Sequence, residues 1–468
     1  MLIRRRFLTR TLGGAGAFSA AMALPGCAEP AGAGSVMALR IDTASPGPVI
    51  APAFLGFSYE KSAISKPLFA ASNADLIRMF RALGRGVFRI GGNSVDKTSW
   101  EKDGPGGQAA FVARPDIDRL AGFIRATGWT IIYAVNMGSS SPEVAADEVA
   151  YAVRAFGPDL LGLEIGNEPD VYRHNGLRPA SYTYAQFQGE WQEFASAIRA
   201  RSPGVGLTGP ASAFDIKGYT LPFAADHGAQ IAQLTQHYYR ADGKKASSTV
   251  DLLLTRDGRL PGMLADMARA CASAGIKGGF RLAEANSYYN GGAPNVSNSF
   301  GGALWLLDYL TALAEGGAAG VNLHGGGNWT GYTPIADNGR VATEARPEYA
   351  AMLLFARLAG GRVLASSLPA AGMALTSLAV AQPGGEVMVL LVNRERGRAA
   401  RISLPGRGCV LTRLVAPSPD TPSGVTLGGA PVTPDGRWSA PGEALQAGPG
   451  GLVVELPAAS AALAVLRG

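Results

Sequence analysis

Short apolar runs that end in polar or glycine-rich turns alternate with stretches of helical periodicity from residue 54 to residue 324. The helical stretches carry apolar residues three or four positions apart and stop before Gly84, Gly128 and Pro203. Regular alternation of strands and helices favours a parallel barrel over a sandwich. The sequence therefore predicts a (β/α)8 TIM barrel. Its strands are predicted at 54–60, 87–90, 130–136, a run beginning at Leu160, 205–208, 231–239, 280–283 and 319–324.

The pattern changes near Gly360. From Arg362 onward, apolar runs such as 386–393 and 452–456 alternate with glycine- and proline-rich turns, which is typical of antiparallel sheets. An isolated strand at 36–42 is expected to join this region. The predicted fold class is α/β, a TIM barrel with an appended C-terminal antiparallel β-sandwich. Its predicted parts are an export signal and linker at 1–35, a joining strand at 36–52, the barrel at 53–357 and the β-sandwich at 358–468.

The N-terminus predicts an export signal and not a fold element. Three arginines at 4–6 precede a Phe-Leu pair, an apolar stretch runs from 13 to 24, and a Leu-Pro-Gly-Cys sequence ends at Cys27. The arginines resemble a twin-arginine signal and the last four residues resemble a lipobox, so we expect a periplasmic or cell-surface protein. Lipid attachment at Cys27 and simple cleavage to a soluble protein are both consistent with this pattern. The apolar stretch is shorter than the ~20 residues of a membrane span.

The charge distribution argues against a nucleic-acid partner. The formal net charge is +6, but residues 1–26 contain four arginines and no acidic residue, so the remainder carries +2. No run rich in lysine or arginine occurs outside the signal, whereas a nucleic-acid-binding domain needs a basic stripe. Cys271 and Cys409 are the cysteines other than Cys27, and we interpret both as buried thiols.

Two glutamates follow strand-like runs and open turns that are rich in asparagine or glycine. Glu168 and Glu284 are 116 residues apart, which corresponds to three βα units of about 31 residues each with modest insertions. We therefore expect them on the fourth and seventh strands, at the C-terminal mouth of the barrel. Ionised glutamates are rarely buried without a partner or a function. Two carboxylates of unequal pKa predict a retaining glycoside hydrolase, with carboxyl groups about 5 to 5.5 Å apart.

The two glutamates suit different roles. Breaking a glycosidic bond requires a proton donor at the leaving oxygen and a carboxylate below the anomeric carbon. Glu168 suits the proton donor, since Asn167 is placed to donate to the sugar 2-hydroxyl and Pro169 constrains the turn. Glu284 suits the nucleophile. An ordinary helix N-cap is the alternative for the Asn-Glu-Pro sequence. Glu164, inside the fourth strand, is interpreted as a buried hydrogen-bonding group.

Other polar residues at strand ends are candidates for substrate binding. They are Arg89 on the second strand, Tyr238 or Tyr239 after the sixth, and Glu60, Asn93 and Asn136. Hydrogen bonding at the strand ends is the alternative for Glu60, Asn93 and Asn136.

Other chemistries lack their sequence patterns. The histidines at 174, 227, 237 and 324 show no metal-ligand spacing, so we expect no metal site. No Gly-x-Ser-x-Gly elbow occurs in a strand-to-helix turn. The Gly91-Gly92-Asn93 turn lacks the Gly-Lys-Ser/Thr ending of a phosphate loop and is interpreted as close backbone packing. We therefore expect no cofactor.

Three motifs resemble clan A glycoside hydrolases and, within them, family 79, the β-glucuronidase and heparanase group. They are Leu-Glu-Ile-Gly-Asn-Glu-Pro-Asp at 163–170, Gln-His-Tyr-Tyr at 236–239, and Glu284 followed by Ser287, Tyr288, Tyr289 and Gly291-Gly292. The resemblance covers most of the chain after the signal. It implies that Glu168 is the acid/base and Glu284 the nucleophile, on a barrel with an appended β-sandwich.

The resemblance also implies a uronate substrate. A sugar carboxylate needs hydrogen-bond donors, and Tyr289, the backbone N–H of Gly291 and Tyr332 are candidates to converge on it. Rim packing is the alternative for the tyrosines, and a simple turn for Gly291. We therefore predict a retaining exo-β-glucuronidase. The alternatives are an endo-acting, heparanase-like enzyme on acidic polysaccharide, a neutral-sugar hydrolase, and a lipid-anchored carbohydrate-binding protein without catalysis.

Overall fold

Eight parallel strands close into a barrel, which confirms the predicted α/β fold class. The structure, a computed structural model, describes residues 35–370, 372–439 and 442–467. Each barrel strand pairs with the next in the chain, and the last pairs with the first. The strands are β1 (Leu55–Glu60), β2 (Val87–Gly91), β3 (Thr130–Val135), β4 (Leu160–Ile165), β5 (Leu207–Ser212), β6 (Gln233–Asp242), β7 (Phe280–Tyr289) and β8 (Gly320–Gly325).

Helices follow the barrel strands, and their apolar stripes are buried. In the helix Tyr184–Arg201, for example, Phe187, Trp191 and Ile198 are fully buried. The helix Arg114–Thr127 ends at Gly128, whose φ of 73° is a conformation that glycine adopts readily. The α-helices are Ala74–Ala82, Arg114–Thr127, Pro142–Phe156, Tyr172–Asn175, Tyr184–Arg201, Leu221–His227, Val250–Leu254, Leu260–Ala274, Phe300–Glu315 and Pro347–Ala356.

Side chains on each barrel strand alternate between the helices outside and the barrel axis. Phe57 on β1 stacks on Trp129 with ring centroids 5.5 Å apart, among the buried residues that pack outside the strands. Ser58, the next residue, faces the axis, where its hydroxyl accepts a hydrogen bond from Arg89 of β2. Where this alternation holds, polar residues from several strands meet on the axis.

β5 and β7 differ most from their predicted bounds. β5 starts two residues later than the predicted 205–208 and continues through Pro210 to Ser212, although proline cannot donate to a ladder. The next N–H, that of Ala211, donates to the Thr235 hydroxyl instead. β7 continues to Tyr289, so Glu284 lies inside the strand and not after it.

A β-bulge in β7 turns Glu284 toward the axis. Gln236 of β6 aligns with Leu282, whereas the next residue, His237, aligns with Glu284, so Ala283 is an extra residue. An extra residue reverses which side chains of a strand point inward. Arg281 contacts the Asn322 side chain in the barrel interior, and strict alternation from Arg281 would send Glu284 outward.

The C-terminal region forms antiparallel sheets, as predicted. An eight-stranded sheet joins Arg40–Val49, Arg362–Ser367, Leu375–Ala381, Val387–Asn393, Ser460–Arg467, Gly408–Val415, Thr426–Leu427 and Glu443–Gln446. A three-stranded sheet contains Met37–Ala38, Ala400–Leu404 and Leu452–Leu456, with Met37–Ala38 parallel to its neighbour. Buried side chains of both sheets form one hydrophobic cluster. The predicted domain boundaries stay predictions.

Shorter elements complete the described chain. Two small sheets pair Ser99–Trp100 with Phe111–Val112 and Ile335–Asp337 with Ala342–Ala345. No helix in the described ranges has both the length and the apolar character needed to cross a membrane. Cys271 and Cys409 are buried free thiols, as expected. The predicted export signal and Cys27 lie outside the described residues.

Candidate active site

A cavity of about 550 Å³ lies at the C-terminal ends of the barrel strands. Such barrels carry their active sites at this face. Three carboxylic acids, one histidine and several aromatic side chains surround it. The lining residues are Glu60, Asn93, Glu168, Val171, Asn175, Phe214, Tyr239, Glu284, Tyr289, Asn290, Gly291, His324, Gly325, Gly326, Trp329 and Tyr332.

The structure brings Glu168 and Glu284 together across this cavity. A carboxylate oxygen of each and a ring nitrogen of His237 all lie within 4.8 Å of one another. His237 Nδ1 is 2.9 Å from Glu168 Oε1 and 4.0 Å from Glu284 Oε2. The two glutamates, remote in sequence, are therefore close enough to act on one substrate atom from two sides.

Glu284 is surrounded by groups that favour its ionised form. Arg89 Nη1 donates to Glu284 Oε2 at 2.8 Å, and the Tyr239 hydroxyl donates to Oε1 at 2.8 Å. Burial alone would raise the pKa of Glu284, but the positive charges of His324 and Arg89 and the Tyr239 hydrogen bond together hold it well below its usual range. Glu284 is an ionised carboxylate at neutral pH.

Glu168 has the opposite character. Burial raises the pKa of Glu168 well above its ordinary value, and repulsion from Glu284 and Asp170 adds to the effect. Burial also lowers the pKa of His237 to about 4, so the imidazole beside Glu168 is neutral at neutral pH. The environment therefore favours the protonated form of Glu168 and the ionised form of Glu284, so the pKa values of the two carboxyl groups are shifted in opposite directions.

The backbone of Glu168 is in a strained conformation. Its φ of 56° and ψ of 56° place it in the left-handed region, which non-glycine residues rarely adopt. Asp96 stabilises the turn before it, because Asp96 Oδ2 accepts hydrogen bonds from the Asn167 N–H at 3.1 Å and from the Tyr172 hydroxyl at 2.7 Å. The Glu168 N–H donates to the Ala211 carbonyl at 3.0 Å. These bonds aim the carboxyl group into the cavity.

Arg89 connects three barrel strands beneath the cavity. It is fully buried, and its Nε donates to Glu164 Oε2 at 2.6 Å while Nη2 donates to Asn167 Oδ1 at 3.0 Å. Glu164 is thus a buried hydrogen-bonding partner, as interpreted from sequence. Burial opposes the charge of Arg89, but Glu164 and Glu284 raise its pKa further and keep it charged.

Most predicted binding residues line the cavity. Glu60, Asn93, Tyr239, Tyr289, Gly291 and Tyr332 do so. Glu60 also accepts hydrogen bonds from the N–H groups of Asn93 at 3.2 Å and Ser94 at 2.8 Å, so strand-end bonding and cavity lining coexist there. A side chain on Gly92 would collide with the Glu60 carboxyl, which explains the glycine pair in this turn.

Four predicted positions are not in the cavity lining. The Tyr238 hydroxyl donates to Asp257 at 2.8 Å and its ring stacks on Tyr309, so the prediction that Tyr238 contacts substrate is corrected: it alternates to the outer face of β6. Arg89 lies beneath the cavity and donates to Glu284, and the Asn167 side chain accepts a hydrogen bond from Arg89. Asn136 bonds to Thr98 and Ser139 instead, which supports its strand-end alternative.

Sequence reasoning missed His324, Phe214 and Trp329 as site residues. His324 lies between two carboxylates, with Nε2 3.7 Å from Glu60 Oε1 and Nδ1 3.8 Å from Glu284 Oε2. Burial would lower the pKa of His324, but Glu284 and Glu60 raise it above its ordinary value. The alternating polar residues Asn322 and His324 on β8 were the signal that could have identified it.

Within the described residues, one group has ligand atoms close enough together to hold a metal ion: Glu168, His237 and Glu284. Arg89 already places a positive charge on Glu284 at 2.8 Å. His237 shares a hydrogen bond with Glu168. These two contacts account for the close approach of the three side chains.

The position of His324 predicts how stability depends on pH. Because its pKa is raised on folding, the folded state holds a proton that the unfolded state releases above about pH 6.5. The free energy of unfolding should therefore fall as pH rises from 6.5 through the folded-state pKa, by at most about 1.4 kcal/mol per pH unit. We expect this slope to be absent in His324→Gln, as measured by urea unfolding between pH 6.5 and 8.5. The exposed His174→Gln variant should keep it, and equal slopes in all three proteins would refute the assignment.

In sequence, the chain is similar to fungal β-glucuronidases. It is 27% identical over 264 residues to a β-glucuronidase from Aspergillus niger, which covers 50% of this chain and 48% of that protein. A β-glucuronidase from Neurospora crassa is 25% identical over 256 residues, covering 47% of this chain and 44% of that protein. The chain thus spans about half the length of the curated relatives that it matches. No protein-family model matches it.

In fold, the chain is similar to glycosidase structures over nearly its whole length. The crystal structure of a 4-O-α-L-rhamnosyl-β-D-glucuronidase from Fusarium oxysporum has a TM-score of 0.77 at 18% identity and covers 92% of this chain and 100% of that chain. A GH51 arabinofuranosidase from Xanthomonas axonopodis has a TM-score of 0.69 at 16% identity, with coverages of 92% and 100%. At these identities the likeness establishes the fold alone.

Proposed function

We propose that this protein is a retaining exo-β-glucuronidase of the family 79 type. The observation that carries the proposal is the proximity of Glu168 and Glu284, with oxygen atoms within 4.8 Å, in surroundings that raise the pKa of Glu168 and lower that of Glu284. Inverting enzymes keep their carboxyl groups roughly 6.5–9.5 Å apart to admit a water molecule, whereas retaining enzymes keep them closer. The short separation supports a double displacement.

In the first step, Glu284 attacks the anomeric carbon while Glu168 protonates the leaving oxygen. A neutral His237 that donates its Nδ1–H to Glu168 Oε1 leaves Oε2 to carry the catalytic proton. As the glycosyl-enzyme forms, Glu284 loses its negative charge, and the repulsion that raises the pKa of Glu168 weakens. Glu168 can then accept a proton from water in the second step.

The uronate preference rests on the β-glucuronidase relatives and on the donors in the cavity. Tyr289, Gly291 and Tyr332 line the cavity, and so does His324, whose pKa is raised by Glu284 and Glu60, which favours its charged form. The Tyr332 N–H donates to the Gly291 carbonyl at 3.3 Å, and the Asn295 N–H donates to the Thr330 carbonyl at 2.9 Å. The loops after β7 and β8 are thereby joined into one wall, which supports action at a chain end.

The proposal is tested with aryl glycosides that differ only in the sugar. We expect turnover of the β-glucuronide and little turnover of the β-glucoside or α-L-arabinofuranoside, and proton NMR should detect the β-anomer of glucuronic acid first. The α-anomer as first product would refute retention. Turnover of neutral glycosides alone would refute the uronate preference, and release of internal fragments from an acidic oligosaccharide would refute exo action.

Glu168→Gln tests the acid/base role through the pH profile. The amide cannot donate a proton, so we expect kcat/KM on a substrate with a poor leaving group to fall by about 10²- to 10⁴-fold. The alkaline limb of the kcat/KM profile, which reports loss of the Glu168 proton, should disappear. With an activated leaving group that needs little protonation, the loss should be much smaller. An equal loss on both substrates would contradict the role.

A further inference from the structure

Two loops on the Glu168 side of the cavity are tied together by one carboxylate. Asp170 Oδ1 accepts a hydrogen bond from the Ala213 N–H at 2.8 Å, and Oδ2 accepts from the N–H groups of Phe214 at 2.7 Å and Asp215 at 2.9 Å. Asp170 itself is buried and lies two residues after Glu168. The backbone of Phe214 is therefore held in a defined position relative to the acid/base carboxyl.

Phe214 presents an aromatic ring to the cavity. Its side chain is 54% exposed, although it lines the cavity and packs against Tyr289 with ring centroids 5.2 Å apart and planes at 63°. An edge-to-face contact of this kind buries one part of the ring and leaves a face available. A single exposed aromatic residue needs no explanation by itself, but this one has a rigid backbone and lies beside Glu168.

We propose that Phe214 is the platform for the leaving group, and that the enzyme selects β-glucuronides whose leaving group is itself a ring, either a sugar or an aromatic aglycone. This inference rests on the proposed function. Since Glu168 protonates the glycosidic oxygen, the leaving group must lie on the Glu168 side of the anomeric carbon. Val171, Asn175 and Phe214 are the lining residues on the two loops joined by Asp170.

These three residues match the chemistry of a ring. The apolar faces of a pyranose or an aryl group pack on an aromatic side chain, and Val171 adds apolar surface. The Asn175 Oδ1 accepts from the Leu177 N–H at 3.2 Å, which leaves its Nδ2 to donate to a hydroxyl of the leaving group. The cavity of about 550 Å³ lies within the size range of sites that enclose drug-sized ligands, larger than one sugar ring.

The test compares two substrates that share the glucuronosyl group. 4-Methylumbelliferyl β-D-glucuronide has a ring as its leaving group, whereas 2,2,2-trifluoroethyl β-D-glucuronide has none. We expect Phe214→Ala to lower kcat/KM on the first substrate by about fivefold and to change it less than about twofold on the second. Phe214→Tyr should retain the wild-type value, and Phe214→Leu, which keeps apolar volume without a ring face, should show an intermediate loss.

The non-ring substrate reports folding and chemistry in every variant, so the ratio of the two losses isolates the leaving-group contact. Equal losses on both substrates, or no loss on either, would overturn this inference. The proposed function would still be supported by turnover of the glucuronides by the wild-type protein. Failure of the wild-type protein to hydrolyse either glucuronide would overturn the proposed function and this inference with it.

Discussion

Glu284→Gly is expected to lower the hydrolysis of an aryl β-glucuronide by about 10⁵-fold, since removal of a nucleophile typically abolishes nearly all turnover. The substitution leaves a space below the anomeric carbon that a small anion can enter. With azide present, we expect partial recovery on an activated substrate and formation of the α-glucuronosyl azide, which has inverted stereochemistry. Product configuration is read by proton NMR.

The companion variant Glu168→Gly should give the opposite azide. There the anion enters on the leaving-group side, after Glu284 has formed the glycosyl-enzyme, and the product is the β-azide. Glu101→Gly, at an exposed position away from the cavity lining, should retain wild-type turnover and form no azide product. A β-azide from Glu284→Gly would exchange the two roles, and near-wild-type hydrolysis by that variant would refute the nucleophile assignment.

Arg89→Met is expected to destabilise the fold by about 3–5 kcal/mol, because it removes the cation from two buried carboxylates. Denaturant unfolding measures this change. Activity should also depend on pH differently, since Glu284 would lose the charge of Arg89 and its pKa would rise toward the ordinary value. The acidic limb of the kcat/KM profile should therefore move to higher pH.

A second variant separates the charge effect from simple loss of packing. The double variant Arg89→Met with Glu164→Gln replaces one of the two buried carboxylates that lost their cation by a neutral amide. Part of the lost stability should therefore return. The exposed Arg85→Met should change the free energy of unfolding by less than about 0.5 kcal/mol. An additive double variant, or an unshifted acidic limb in Arg89→Met, would contradict the proposed charge network.

The barrel could be predicted from sequence because its signal is local. Strand and helix periodicities repeat at intervals set by the size of one βα unit, and the spacing of Glu168 and Glu284 follows from the same interval. The predicted strand ends were less accurate where a strand continues through polar residues. β7 continues past Glu284 because Ala285, Asn286 and Tyr288 pair with β6, a non-local interaction that the sequence of β7 does not display.

Two neighbouring tyrosines show the limit of predicting the site residues from the sequence. Tyr238 and Tyr239 are adjacent and chemically equal, and strand alternation sends one outward and the other to Glu284. Placing Leu234 on the helix-facing side would have assigned them correctly. For β7 the same reasoning fails, because the bulge at Ala283 reverses the alternation before Glu284.

The sequence by itself determined the order of strands and helices, the antiparallel character of the C-terminal region and the two glutamates at the barrel mouth. Periodicity and spacing are properties of contiguous residues, so these features could be predicted without the fold. The tertiary structure alone decided the opposite pKa shifts of Glu168 and Glu284, the place of His324 between two carboxylates and the link from Asp170 to Phe214. Electrostatic energies depend on distance and burial, and the groups that set them here lie on different strands of the barrel.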